Sequence, residues 1–444
     1  MTPSDEELWR DHLENARWFQ GKGLPFHGMS IKPLPWSVES GAMWVRSELA
    51  LVDAGDATSV YHLLVGYCPV GMAEMEARIG QTYLPGRGQV DVVDVPRSPL
   101  AMRVLLSSLT SAGRESGDFD QQSPDSRPSP VRWFETPPDP DSATRVFEGE
   151  QSNTTVLVGD SVLSKIYRKL SPGPNLECEV MRALAGSAII PRLIGTWSAP
   201  GKTYDLGIFV QRIPDARDGW AYAIDTCQHG VSIADEMERL GMTLHSLHVR
   251  LAEVFPTSTI DSGLVCARML SRLDLACEQL PELRPHRGDL REILTLPPSD
   301  IAIQRLHGDF HLGQALISPA GWTIIDFEGE PLKTPQERAA PDSVWRDVAG
   351  LLRSLDYARS TTHPYPESSQ GYQWYEQART GFLHGYLASG TLPSALLTAY
   401  EVDKAIYELV YEVRNRPTWA DIPRRAIASA LGNPTGPHSS TMEM

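Results

Sequence analysis

The sequence predicts an α+β protein of two unlike parts, strand-rich first and helical after. Three observations carry this. Up to residue 211, short apolar or alternating runs sit between turn residues, as antiparallel strands do. From Trp220 onward, apolar residues recur at helical spacing. Inside that helical half lies one strand-like stretch, Gln304–Pro331 (QRLHGDFHLGQALISPAGWTIIDFEGEP), which carries Asp309 and Asp326 beside short apolar runs. Ser318–Gly321 is a turn, so the stretch folds into a hairpin-like unit with two carboxylates.

Taken in order, Ser4 to Trp18 reads as a helix with a capping-box-like start, ending near Gly21-Lys22-Gly23. MWVRSELALVD and SVYHLLVGY around Asp53–Asp56 read as a hairpin, with further short strands up to about residue 95 and a helix over Pro99–Leu109. Residues 1–110 read as a first domain, with a boundary near residue 111. Residues 111–142, rich in Ser, Asp, Pro and Gly, read as a linker or long loop, although Trp133 and Phe134 point to some packing. Residues 143–215 predict a small lobe with hinge: strands at Ala143–Phe147, Thr155–Val158 and Ser161–Tyr167, a helix at Leu176–Leu184, then strands at Ile189–Trp197 and Tyr204–Gln211. Residues 216–444 predict a helical lobe, with helices at Ala234–Val254, Ile260–Leu280, Asp342–Tyr357, Tyr372–Ser389 and Pro393–Arg414 and a frayed tail after Asn433.

Composition limits the function. The chain has 444 residues, 41% hydrophobic and 22% charged, ordinary for a globular protein of two or three domains. A net charge of −16 argues against nucleic acid as the main partner. The five cysteines are scattered with no CxxC pair, which favours reduced thiols in the cytoplasm. The polar, acidic start predicts no secretory signal, and no apolar run approaches the roughly 20 residues of a membrane span.

The chemistry follows from order and spacing. Gly201-Lys202-Thr203 ends like a P-loop, but Thr196 stands where its upstream glycine is required. A protein-kinase-like plan fits better. The loop Gly149–Thr154 joins the first two small-lobe strands, and Gln151, Ser152, Asn153 and Thr154 offer backbone N–H and side-chain groups to phosphates. Lys165 on the third strand takes the phosphate-gripping position, and Glu179 in the next helix is its expected ion-pair partner. Asp309 is the expected catalytic base. Gln314, five residues on, and Asp326 are the expected metal ligands. Asp347 and His307 suit bracing of the catalytic loop, and Trp18 suits packing.

HGDFHLGQ with IIDFEGEP resembles the aminoglycoside-phosphotransferase-like kinases, and among them the bacterial maltokinase-like sugar kinases. The resemblance extends to Arg17-Trp18-Phe19, Glu150–Thr154, Arg346-Asp347-Val348-Ala349-Gly350 and Tyr411–Pro417 (YEVRNRP). It implies a bilobal protein-kinase-like fold with an N-terminal cap subdomain, ATP, Mg²⁺ and a small sugar acceptor. The acceptor is glucosamine in one branch and maltose, giving maltose 1-phosphate, in another.

For the acceptor site the candidates are Asp309, His311, Glu408, Glu412 and Trp419. Glu408 and Glu412 are four apart and share a helix face, where carboxylates suit an ammonium and the Trp419 indole suits a sugar ring. Both carboxylates equally suit a solvated face, and Trp419 a core position. Trp345 is bulky and is expected to shorten the pocket to one ring, which favours glucosamine, phosphorylated at its 6-OH. Maltokinase, an aminoglycoside or choline kinase, and a pseudokinase scaffold whose cap binds a partner enzyme are the alternatives.

Overall fold

A computed structural model describes residues 3–55, 57–114, 130–147, 152–330, 333–363, 369–388 and 390–432. The chain divides into two compact units, Met1–Gly186 with Pro191–Pro214, and Ser187–Ile190 with Asp215–Met444.

The first unit opens with α1 (Pro3–Asn15), which buries Trp9 and Leu13 in an aromatic-rich core with Trp18, Phe19 and Tyr61. Five strands follow: β1 (Phe26–Ser40), β2 (Met43–Ala54), β3 (Ala57–Pro69), β4 (Arg78–Leu84) and β5 (Gly88–Asp94), ordered β1-β2-β3-β5-β4 and antiparallel. The expected hairpin is β2–β3, closed at Ala54 opposite Ala57. β1 was not expected. Its Pro33 and Pro35 lack the N–H a ladder needs, and the register breaks between Pro33 and Ser37 to accommodate them on a sheet edge. α2 (Pro99–Arg114) packs on this sheet with Ala101, Met102 and Leu105 buried.

The second sheet of this unit contains β6 (Val131–Trp133), β7 (Thr144–Val146), β8 (Thr154–Val158) and β9 (Val162–Ile166). The short β10 (Lys169–Leu170) leaves it to pair with β3 of the cap sheet. α3 (Leu176–Ala183) follows, N-capped by Asn175, and β11 (Leu193–Ser198) and β12 (Asp205–Gln211) complete the sheet. The order β6-β11-β12-β9-β8-β7 makes six strands where five were expected. The extra strand, β6, lies in the stretch read as a linker or long loop, at the Trp133 expected to pack. Trp133 stacks 4.8 Å from Phe209, and its indole N–H donates to the Leu109 carbonyl.

The second unit holds β13 (Arg217–Asp218), α4 (Gly219–His229), α5 (Ala234–Val254), β14 (Ser258–Asp261), α6 (Ser262–Gln279), α7 (Arg287–Ile293), β15 (Asp300–Ile303), the hairpin β16 (Ala315–Ser318)–β17 (Gly321–Ile324), α8 (Pro335–Ala339), α9 (Trp345–Thr362), α10 (Ser369–Leu387), α11 (Ser394–Asn415) and α12 (Asp421–Ala430). α9 is buried along almost its whole length from Asp347 to Ser360, so it forms the unit's central rod. α10 lies so close to α5 that a Cβ at Gly385 would sit 1.9 Å from the Glu238 carbonyl oxygen, which only glycine avoids. The tail expected to fray lies outside the described residues. Among the described residues no helix is long and apolar enough to cross a membrane.

Candidate active site

The β16–β17 hairpin sets the distance between two of the predicted residues. Ala315 pairs with Ile324, and the Ile325 N–H donates to the Gln314 carbonyl, so Gln314 and Asp326 emerge side by side at the open end. The Gln314 amide donates to Asp326 Oδ2 at 3.1 Å. Asp326 has φ 65°, a left-handed conformation that non-glycine residues adopt at a cost and that is common at functional sites. The two side chains together offer carboxylate and amide oxygens, the donor type a hard divalent cation takes.

Asp309 sits in the loop before this hairpin, and α9 holds that loop from beneath. The Asp347 carboxylate accepts from the His307 and Gly308 backbone N–H groups, both at 2.9 Å, and contacts His248 Nε2 at 3.1 Å. Burial would raise the Asp347 pKa, but these donors, led by His248, hold it below the usual carboxylate range. His248 Nδ1 in turn accepts from the Tyr386 hydroxyl at 2.8 Å. His307 donates from Nε2 to the Ile325 carbonyl, which ties the loop to the hairpin. Gly350 is required because a Cβ there would lie 2.5 Å from the Phe310 carbonyl oxygen. The bracing role expected of Asp347 and His307 is therefore accounted for contact by contact.

Asp309 and His311 open onto a cavity of about 540 Å³ within the second unit, whose wall includes Glu408, Glu412 and Trp419. All five predicted acceptor-site residues thus line one cavity. Glu408 and Glu412 are not solvated: Glu408 is fixed by the Arg353 guanidinium at 2.9 Å, and Glu412 is 1% exposed. Burial raises the Glu408 pKa, although Arg353 and Lys404 pull it down. Burial likewise lowers the His311 pKa, and Nδ1 accepts from the Gly313 N–H. Trp345 does not narrow this cavity. It stands edge-on to Tyr386, 5.5 Å away, and is not part of the lining.

Two residues the sequence reading missed dominate the charge near Asp309. Lys404 Nζ lies 2.9 Å from Glu330 and 3.7 Å from Asp309. Burial alone would strip its proton, but Glu330 and Asp309 outweigh this and raise its pKa. Glu330 also contacts Lys333 at 2.9 Å and Arg346 at 3.1 Å. The available signal was that Lys404 and Glu408 are four apart on one helix and so share the cavity-facing stripe.

In the first unit, Lys165 projects from β9, its Nζ 2.8 Å from Glu177. Glu177 is a partner the sequence reading did not name beside the expected Glu179. It is 5% exposed and also accepts from the Tyr167 hydroxyl. Gln151 lies outside the described residues. Ser152 is described, and its hydroxyl accepts from the Asn153 amide. Asn153 and Thr154 correct an expectation. Their side chains turn inward to Arg168: Asn153 Oδ1 accepts from its backbone N–H at 3.1 Å, and Thr154 Oγ1 from Nε at 2.8 Å. Their side chains anchor the start of β8 to Arg168.

Arg168 sits where the chain passes from β9 to the cap strand β10. It is fully buried, 3.0 Å from Asp94 and 4.9 Å from the Trp18 ring. One guanidinium thereby links Asp94, at the end of β5, to Thr154, at the start of β8, and Trp18 has the packing role expected of it.

The family model described as "Phosphotransferase enzyme family" (APH) matches residues 143–383, more than half of the chain. The chain belongs to this phosphotransferase family. The phosphotransferase is 26% identical over 315 residues to the glucosamine kinase of Mycolicibacterium smegmatis, covering 64% of this chain and 79% of that one. It is 26% identical over 320 residues to the glucosamine kinase of Streptacidiphilus jiangxiensis, covering 64% and 72%. In fold it is similar to a solved structure of glucosamine kinase in complex with glucosamine, ADP and inorganic phosphate, with TM-score 0.63 and 21% identity over 97% of this chain and 100% of that chain. The expected α+β protein-kinase-like fold is borne out, and the enzyme transfers a phosphoryl group to an alcohol.

Proposed function

We propose that this phosphotransferase is an ATP-dependent glucosamine kinase acting in the cytoplasm and giving glucosamine 6-phosphate. The carrying observation is the second unit's cavity, with Asp309 at its mouth and the carboxylates of Glu408 and Glu412 beside the Trp419 indole in its wall. Carboxylates suit the ammonium of an amino sugar, and an indole suits the apolar face of a sugar ring. The glucosamine kinases among its relatives support the same acceptor. In this reading residues 1–110 are the cap, 143–215 bind nucleotide and 216–444 carry the base and the sugar.

Asp309 accepts the proton of the sugar hydroxyl as its oxygen attacks the γ-phosphorus, and the bond to the ADP oxygen breaks. Lys165, held by Glu177, steadies the nucleotide phosphates. Gln314 and Asp326 would hold Mg²⁺, which when bound neutralises phosphate charge. The Asp347 brace fixes Asp309 before substrate arrives, so positioning supplies much of the rate. The cap acts through Arg168 on the phosphate loop, a role that needs no partner enzyme.

The test is ATP consumption by the purified enzyme over glucosamine, glucose, maltose and an aminoglycoside, with phosphorus NMR of the product. The expected result is the highest kcat/KM for glucosamine and a 6-phosphate ester. Preference for maltose with an anomeric phosphate would replace this reading with maltokinase.

A further inference from the structure

Glu408 and Glu412 both face the cavity, but their cations differ in one respect. Arg353, on Glu408, is 5% exposed, and its Nη1 also donates to Asp356 at 2.7 Å. It has no route out. Arg416, on Glu412, is the residue that caps α11, and its side chain is 49% exposed. Its guanidinium grips Glu412 with two parallel hydrogen bonds, Nε to Oε2 at 2.9 Å and Nη2 to Oε1 at 2.8 Å. It also lies 5.0 Å from the Trp419 ring centre and 5.4 Å from that of Tyr411. One guanidinium therefore covers both the carboxylate and the indole face that the cavity offers to an amino sugar.

We propose that Arg416 is an internal stand-in for the substrate's ammonium, displaced from Glu412 when an amino sugar binds. The inference rests on the amino-sugar reading above. A cation already seated on Glu412 makes the free carboxylate a minor state, and apparent affinity falls by the fraction of time the site is open. An ammonium compensates the negative charge of the vacated Glu412, while a neutral hydroxyl does not. Exchange is therefore favourable only for a cationic sugar, and Arg416 acts as a specificity device as well as an occupant. Its exposed position at a helix end lets it swing into water without breaking the helix, because the turn that follows is held by backbone bonds: the Arg416 N–H donates to the Glu412 carbonyl, and the Trp419 N–H donates to the Arg416 carbonyl. Glu412 keeps its bond from the Tyr357 hydroxyl at 3.1 Å throughout, so the carboxylate stays aimed.

The experiment measures KM and kcat of wild type, Arg416→Ala and Arg416→Lys with glucosamine and with glucose, checking the fold of each by circular dichroism. In Arg416→Ala the KM for glucosamine should fall about fivefold with kcat within about twofold, the size expected if the seated guanidinium leaves the site open roughly one time in five or six. The KM for glucose should move much less. Arg416→Lys, which keeps a cation but loses the paired hydrogen bonds, should fall between. A rise in glucosamine KM would mean that Arg416 serves the sugar or orients Glu412, and would overturn the proposal; so would an equal change for both sugars. If wild type turns over no amino sugar at all, the underlying functional reading fails instead, and the two failures are told apart by the wild-type rates alone.

Discussion

The two units hold charge in different ways. In the first, the guanidinium of Arg168 is fully enclosed and bonded to the Asp94 carboxylate, the His62 carbonyl and the Thr154 hydroxyl. In the second, Lys404, Lys333 and Arg346 converge on Glu330 beside Asp309, with Lys404 still 23% exposed at the cavity. An enclosed cation is a fixture: losing it takes the guanidinium from Asp94 and frees the Thr154 hydroxyl. A cluster open to a cavity can exchange partners. The difference teaches that the first unit's buried cation holds its neighbours in place, while the second unit's cluster stands at a cavity, where partners can change.

The largest effect should come from the sugar side. Asp309→Asn should lower kcat about 10³-fold, within the range for loss of a general base, while nucleotide binding by calorimetry is kept. Near-normal turnover would remove Asp309 from the chemistry. On the phosphate side, Arg168→Ala should cost about 3–5 kcal/mol of stability, the usual outcome of breaking a buried charge pair. Denaturant unfolding checks this, and a loss near zero would show that Arg168 is no fixture.

Acid should sharpen the contrast further. Buried His62, hydrogen-bonded to the Tyr167 carbonyl and Ser47, has its pKa lowered to about 3 by burial and then by Arg168. The folded state keeps this imidazole neutral, while the unfolded chain protonates it below about 6.5. Stability should therefore be unaffected above pH 6.5 and fall by about 1.4 kcal/mol per unit beneath it, reaching about 2 kcal/mol at pH 5. His62→Gln should remove that share of the slope in unfolding measured at pH 7 and pH 5. The smallest effect concerns Lys165: Glu177→Gln should raise the KM for ATP about tenfold. An unchanged KM would show that Glu177 does not hold Lys165.

Much of this was legible because it depends on local rules. The hairpin announced itself by the Ser318–Gly321 turn between two apolar runs, and α5 by its periodicity. Asp309, Gln314 and Asp326 were found because their spacing is set by that hairpin and the loop before it. What escaped depends on longer range or on a broken rule. β1 contains two prolines that argue against a strand, and only its bulge reconciles them. β6 is three residues in a polar stretch, too short to show alternation. Glu177 escaped because nothing in the sequence says that it reaches Lys165. Lys404 read as one more helix cation until the fold placed it against Glu330 and Asp309. Trp345 misled because bulk alone does not say which way a side chain points.

The central claim is that the carboxylate-walled cavity selects a positively charged sugar for attack assisted by Asp309. Initial rates of ADP release with glucosamine and with N-acetylglucosamine test it most directly, because acetylation removes the charge and keeps the 6-OH. Rapid release with glucosamine and a rate at least about 100-fold lower with the acetylated sugar is the expected result. Equal rates with the two sugars would contradict it.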